Sequence, residues 1–434
     1  MNNKGLFASI LTHLFVLSSL SISFGQSFPK PFVYGDLLPD APELSARGEY
    51  AVGVQTLDLI HENQLDILNY GKGGDSLYNR PLKVEIWYPT EAGSDELISY
   101  DEVMGQNGSP TRPLVPFTFL GRATRNAKPA NSSAPFPLVI VSHGYTGSRY
   151  LMTYLTENLA SKGYVVVAID HTEATFRDAA GFQSTLLNRS LDDLFVLNEI
   201  ARLGNEEGSF LKGVVNADNT ALIGYSMGGY GAVNVAGAGY SPQAVQLFGG
   251  MTGGSKALLR RSVGNPEFEA SIDPRIKVIV AFAPWGMQRG VWNAEGLAGI
   301  KIPSLFIAGS KDDISGYEEG TKAIYEGAVN SERYLLTYID ARHNTAPNPP
   351  PAEALEPGRP IDEYLRYADS VWDMRRINNI NQHFVTAFLG FYLKGNDSYK
   401  DYLDVNANPE AKEWPGFKPR TTVGLELDHQ SPKN

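Results

Sequence analysis

Cysteine is absent from all 434 residues. That single absence removes disulfide staples, thiolate metal sites, a thiol nucleophile and dithiol redox chemistry. A chain of this length must then be held by its core, and 42% hydrophobic residues are enough to build one. Basic runs are also missing. The 37 Lys and Arg stand against 48 Asp and Glu, for a formal net charge of −11. A nucleic-acid binder needs a basic stripe to neutralise phosphates, so the composition speaks against that partner. It disfavours a polyanionic substrate too, except where a local basic pocket forms. No apolar run after the first thirty residues is long enough to span a bilayer. Histidines and carboxylates do not recur at ligand spacing, so Asp170-His171 reads as structural, with no metal and no cofactor implied.

The N-terminal stretch MNNKGLFASILTHLFVLSSLSISFGQSF has one lysine (Lys4), an apolar stretch, then the small residues Ser23 and Gly25. It reads as a secretory signal peptide over 1–25. Thr12, His13 and several serines interrupt the apolar stretch, which argues for cleavage over anchoring. The expected location is periplasmic or extracellular, and a cysteine-free exported chain fits a bacterial setting.

Residues 26–405 read as one α/β domain. YAVGVQTLDLI (50–60) and RPLKVEIWYPT (80–90) alternate and predict an antiparallel edge. Residues 91–135, rich in Pro, Gly, Ser and Asn, read as a surface excursion. Continuous apolar runs then appear at 136–141, 164–170, 221–226, 276–285, 302–310 and 334–340. Runs of this kind suit parallel strands covered on both faces. Helical patterns lie between them at 149–163, 190–204 and near 317–329, and a last one covers 379–393. The 190–204 segment carries Ser190 and Asp193 in a capping-box spacing. Strand and helix in alternation predict a mostly parallel sheet with helices on both faces. The tail 406–434 is polar and is consistent with either wrapping the domain or lying free.

In such a sheet, chemistry gathers at the carboxyl ends of the strands. Ser226 follows one strand within Gly-Tyr-Ser-Met-Gly, Asp312-Asp313 follow another, and His343 a third. The order Ser, Asp, His is that of the α/β-hydrolase triad. A serine hydroxyl needs a base to take its proton as it attacks, an imidazole is suited to that task, and a carboxylate fixes the imidazole's tautomer. Asp312 is the expected acid, from Gly-x-x-Asp spacing after its strand, with Asp313 as the alternative. Gly224 and Gly228 leave room for strand and helix to approach. The backbone N–H groups of Met227 and Tyr145 are the expected oxyanion donors. Trp285 and Tyr225 are the expected substrate-binding residues. His143 reads as a hydrogen-bonded turn residue, and Arg260, Arg261 and Arg289 as surface arginines.

PLVIVSHGYTGSRYLMTYLTENLASKGYVVVAIDH (137–171), RPLKVEIWYPT (80–90) and GYSMGG (224–229) resemble the bacterial platelet-activating factor acetylhydrolase-like and dienelactone hydrolase-like α/β-hydrolases, over roughly residues 45–395. HGYTG (143–147), SMGG (226–229), APW (283–285) and HNTAPN (343–348) are similar to segments of cutinase-like polyester hydrolases. These resemblances imply an α/β-hydrolase fold, from which this chain departs in insertions near 91–135, 250–274 and 344–373, the last two standing where cap elements over the cleft are expected. They also imply a secreted serine carboxylic-ester hydrolase acting through Ser226, Asp312 and His343. Short-chain or phospholipid-like esters are the first expectation; a polyester hydrolase, a peptidase on the same fold and a non-catalytic binding protein are the alternatives.

Overall fold

The structure, a computed structural model, describes residues 31–72, 76–91, 93–94, 96–405 and 413–433. The expected signal peptide, 1–25, lies outside the described residues, as do tail residues 406–412. Contacts divide the chain into Met1–Phe32 and Val33–Asn434, and every described strand and helix belongs to the second unit.

Twelve strands run in chain order: β1 (Ala51–Leu65), β2 (Leu77–Thr90), β3 (Ile98–Met104), β4 (Val115–Gly121), β5 (Ala123–Arg125), β6 (Phe136–Ser142), β7 (Val165–Asp170), β8 (Val215–Tyr225), β9 (Ile276–Phe282), β10 (Ser304–Gly309), β11 (Arg333–Tyr338) and β12 (Leu425–Gln430). Ten of them form one sheet in the order β12-β11-β10-β9-β8-β6-β7-β2-β1-β5. The strands from β6 to β11 are mutually parallel. Antiparallel pairing within this sheet is confined to β12 on β11 and to β2 on β7 and β1. The expected mostly parallel α/β sheet is therefore present, with its antiparallel edge at the two alternating segments.

The continuous apolar strands explain the layering. Alternate residues of one strand point to opposite faces. Val139, Val166, Ile223, Val280, Ile307 and Leu336 join one buried cluster, while Leu138, Val167, Leu222, Ile279, Phe306 and Leu335 join the other. Helix α1 (Thr153–Ser161) and the helix Met374–Tyr392 cover the first face through Leu155, Leu159, Phe384 and Phe388. Helices α2 (Phe182–Asn205) and α3 (Met227–Val235) cover the second through Val196, Ile200, Ala232 and Val233. Gly163, with φ +82°, stops the chain after α1 by donating its N–H to the Ala160 carbonyl.

Two sequence readings change, and one left open is decided for the described residues. The 91–135 segment is more than a surface excursion: β3 and β4 form a hairpin and β5 extends the main sheet beside β1. Its aromatic residues outweigh its turn residues. Tyr100, Phe117 and Phe119 are buried in the same cluster as Trp87, and the Trp87 indole N–H donates to the Tyr100 hydroxyl at 2.9 Å. The apparent capping box at Ser190 and Asp193 caps nothing, because α2 already begins at Phe182 and both residues are buried mid-helix. They are polar there because that helical face meets a buried polar layer beneath the 143–147 loop. The described part of the tail is ordered as β12, which covers the open edge of β11 with Leu427 opposite Leu336. An uncovered edge would present a row of unpaired backbone groups.

Ile223 is fully buried on the strand that leads to Ser226. Ile223→Ala is expected to lower unfolding free energy by about 2–5 kcal/mol, measured by urea titration. A midpoint equal to wild type would mean the site strand is not set by this core.

Candidate active site

Ser226 sits between the last residue of β8 and the first of α3, with φ +52° and ψ −110°. A non-glycine residue in such a conformation costs about 1–3 kcal/mol unless its surroundings hold it. Here its N–H donates to the Phe282 carbonyl at 2.8 Å, and its carbonyl accepts from Trp285 at 3.1 Å and Tyr230 at 2.9 Å. The neighbouring glycines are sterically required. A Cβ on Gly224 would stand 2.1 Å from the Gly228 oxygen, and one on Gly228 would stand 1.9 Å from the Ser142 oxygen. The turn therefore forms only where β8, β6 and α3 touch backbone to backbone.

His343, on the loop after β11, reaches Ser226 Oγ with Nε2 at 3.0 Å. Its Nδ1 lies 3.0 Å from both Asp312 carboxylate oxygens. Asp312 follows β10, and its Oδ1 also accepts the N–H groups of Ile314 and Ser315, each at 2.9 Å. Asp313 turns away and pairs with Arg342. Of the two adjacent acids, the structure brings Asp312 to the imidazole. Ser226, Asp312 and His343 are each under one-tenth exposed.

The loop after β6 passes directly above the serine. A Cβ on Gly144 would lie 3.3 Å from Ser226 Cβ. Met227 opens α3, where first-turn N–H groups lack intrahelical acceptors. Beneath the loop lies a buried polar layer. The His171 N–H donates to His143 Nε2 at 3.2 Å, so the proton of His143 sits on Nδ1, which donates to the Gly144 carbonyl at 2.6 Å. Burial first, then the nearby Arg189 and His171, hold the His143 imidazole well below its ordinary pKa, hence neutral. His171 bridges Ser142 Oγ (2.8 Å) and Asp192 (3.0 Å). Asp192 accepts two hydrogen bonds from Arg80, at 2.8 and 2.9 Å, and Arg189 donates to the His143 carbonyl at 2.6 Å. His143 and His171 are thus hydrogen-bonded scaffold residues, and α2 is polar on this face because it supports the loop.

Ser226 opens into a cavity of about 360 Å³, lined among others by Tyr145, Thr146, Tyr225, His343, Asn344 and Arg366. Tyr225 is part of that lining: its ring lies 5.3 Å from His343, and its hydroxyl donates to Asn344 at 2.8 Å. Trp285 is not in the lining of this cavity. It lines a separate groove with Phe182, Leu247 and Met251, because the chain turns after Pro284 toward Phe182, whose ring meets Trp285 edge-on at 5.2 Å. The 344–373 segment does border the cavity, whereas 250–274 is not in its lining and borders the Trp285 groove through Gly250 and Met251. Arg261 is not a surface arginine either. It is buried, donates to Asn234 and stacks on Phe268 at 5.0 Å. Sequence reading missed Arg112, Arg366 and Asn344. No strand-end rule points to them, since they arrive from the hairpin and from the segment after His343. Among the described residues, no cluster of three or more potential metal ligands is present, and no helix is long and apolar enough to cross a membrane.

A ferulic acid esterase from Streptomyces cinnamoneus superposes with a TM-score of 0.52 at 21% identity, covering 82% of this chain and 94% of that one. The fold is that of an α/β-hydrolase. Residues 121–246 match a family model described as PET hydrolase-like. That span contains the 143–147 loop and Ser226 but stops short of Asp312 and His343. Cutinase 2 of Thermobifida cellulosilytica is 24% identical over 212 residues, 49% of this chain and 62% of its own length. Cutinase cut1 of Thermobifida fusca is also 24% identical over 212 residues, there 50% of its own length. The chain thus spans about half to three-fifths of the curated relatives it matches. Of the resemblances read from the sequence, these relatives carry the cutinase-like one.

Gly228→Ala is expected to lower the melting temperature by several degrees or to abolish soluble expression, since the Ser142 carbonyl is backbone and cannot swing aside. A thermal melt superimposable on wild type would refute the close-approach account.

Proposed function

We propose that this α/β-hydrolase is a cutinase-like serine carboxylic-ester hydrolase. The observation that carries the reading is the unbroken chain Asp312–His343–Ser226, at 3.0 Å per step. In this reading Ser226 Oγ attacks the ester carbonyl carbon while His343 Nε2 takes the hydroxyl proton. Asp312 holds the Nδ1–H tautomer and stabilises the imidazolium that forms. The tetrahedral oxyanion is received by the N–H groups of Tyr145 and Met227. Collapse expels the alcohol, which takes its proton from His343. Water, deprotonated by the same imidazole, then releases the acid and frees Ser226.

Polyester-type esters are the favoured substrate class. The PET hydrolase-like match and the cutinase relatives support it, and the phospholipid-like esters first expected from the sequence have no counterpart among them. The cavity is at the small end of the usual range for ligand sites, about 300–1,000 Å³, which favours short acyl or chain-end groups over long acyl chains. Export of the enzyme rests on the N-terminal stretch alone.

The test is hydrolysis of p-nitrophenyl esters from acetate to long-chain, with a polyester film alongside. Wild type should turn over the short esters, and Ser226→Ala should lose about 10⁴-fold or more while folding normally. Turnover by Ser226→Ala near the wild-type rate would remove the serine mechanism. Asp312→Asn should lose about 10²–10⁴-fold in kcat, and Asp313→Asn no more than a few-fold. The reverse ranking would mean that Asp313, not Asp312, orients His343.

A further inference from the structure

The cavity above Ser226 is basic in a chain that is acidic overall. Arg112, Arg342 and Arg366 line it, with Asp313 and Asp362 as its carboxylates. The pairing is uneven. Arg342 is matched by Asp313, and Arg112 Nε by Glu363, which stands just behind the lining. Asp362 is exposed at the mouth. Among the described residues, no carboxylate comes within ion-pair distance of Arg366. Its Nη1 donates to Thr146 Oγ1 at 2.9 Å, and its guanidinium lies 5.7 Å from the Phe176 ring. Arg112 Nη2 is buried with no hydrogen-bond partner. Arg366 therefore has no directly paired carboxylate, although Glu363 attracts it at longer range, and both arginines belong to the lining of the cavity into which Ser226 opens.

A half-buried cation without an anion is costly. Burial first, then the like charge of Arg112, depress the Arg366 pKa from its ordinary value against the opposing pull of Glu363, and the charge of a bound anion would offset that depression. Thr146, which anchors Arg366, directly follows Tyr145, the proposed oxyanion donor, so the charge is tied to the same loop. A planar guanidinium suits a carboxylate, which it can bind through two parallel N–H groups.

Resting on the esterase reading, we propose that the Arg366–Arg112 side of the cavity is a carboxylate subsite, and that the preferred substrates are esters bearing a second, free carboxylate, such as half-esters of dicarboxylic acids. Hydrolysis of one ester bond in a polyester of dicarboxylic acids leaves such a group at the new chain end. The subsite then favours acid-ended fragments over uncharged internal segments.

The experiment measures binding apart from turnover. Monomethyl glutarate and dimethyl glutarate are titrated by calorimetry into full-length Ser226→Ala protein. The acid ester should bind at least about tenfold more tightly, less so in high salt. In the Ser226→Ala background, Arg366→Gln should erase the difference, Arg366→Lys should keep part of it, and Asp362→Asn should enlarge it. Arg112→Gln should shrink it if Arg366→Gln fails to fold. Equal binding of the two esters, or a preference that survives Arg366→Gln, would overturn the subsite. Wild type that binds the acid ester preferentially but hydrolyses neither compound would leave the subsite standing and remove the esterase reading.

Discussion

Everything at the site depends on one close approach, that of β8, β6 and the start of α3 around Gly224 and Gly228. Contacts of 2.1 and 1.9 Å to an added Cβ show that no side chain fits there. With no side chain in the way, the backbone turns sharply enough to put Ser226 at a positive φ and lift its hydroxyl above the sheet. The strain is offset by the hydrogen bonds to Phe282, Trp285 and Tyr230 and by a strand buried on both sides. A looser core under β8 would let the turn relax, and the serine would drop from the reach of His343.

The second constraint is the buried polar layer under the 143–147 loop. Arg80, Asp192, His171, Ser142, His143 and Arg189 connect through hydrogen bonds from β2 and α2 to the Gly144 carbonyl. Buried charges give little net stability when paired and cost much when a partner is lost. Here the layer holds one backbone segment in one orientation. A neutral His143 with its proton on Nδ1 holds the Gly144 carbonyl through a hydrogen bond, which fixes the plane of the following peptide unit.

Much of this was legible in the sequence, for identifiable reasons. The doubly covered strands betrayed themselves as continuous apolar runs. Strand ends of a parallel sheet converge, so Ser226, Asp312 and His343 could be brought together across long separations in the chain. What escaped detection has no such rule. The β3–β4 hairpin hid among turn residues because its burial rests on a few aromatics, Tyr100, Phe117 and Phe119. Ser190 and Asp193 imitated a helix start because a polar layer and a cap use the same residue types. Trp285 follows its strand as a pocket residue should, yet the turn after Pro284 carries it into a neighbouring groove. Arg366 and Arg112 enter the cavity from irregular segments, where neither period nor spacing marks a residue that faces inward.

The most direct test of the central claim is intact-protein mass spectrometry after reaction with a fluorophosphonate, a reagent that modifies activated serine hydroxyls. A single adduct, mapping to Ser226 by peptide sequencing and lost on denaturation before treatment, is the predicted result. No adduct on the folded protein, or an adduct on another serine, would contradict the assignment of Ser226 as a nucleophile activated by His343.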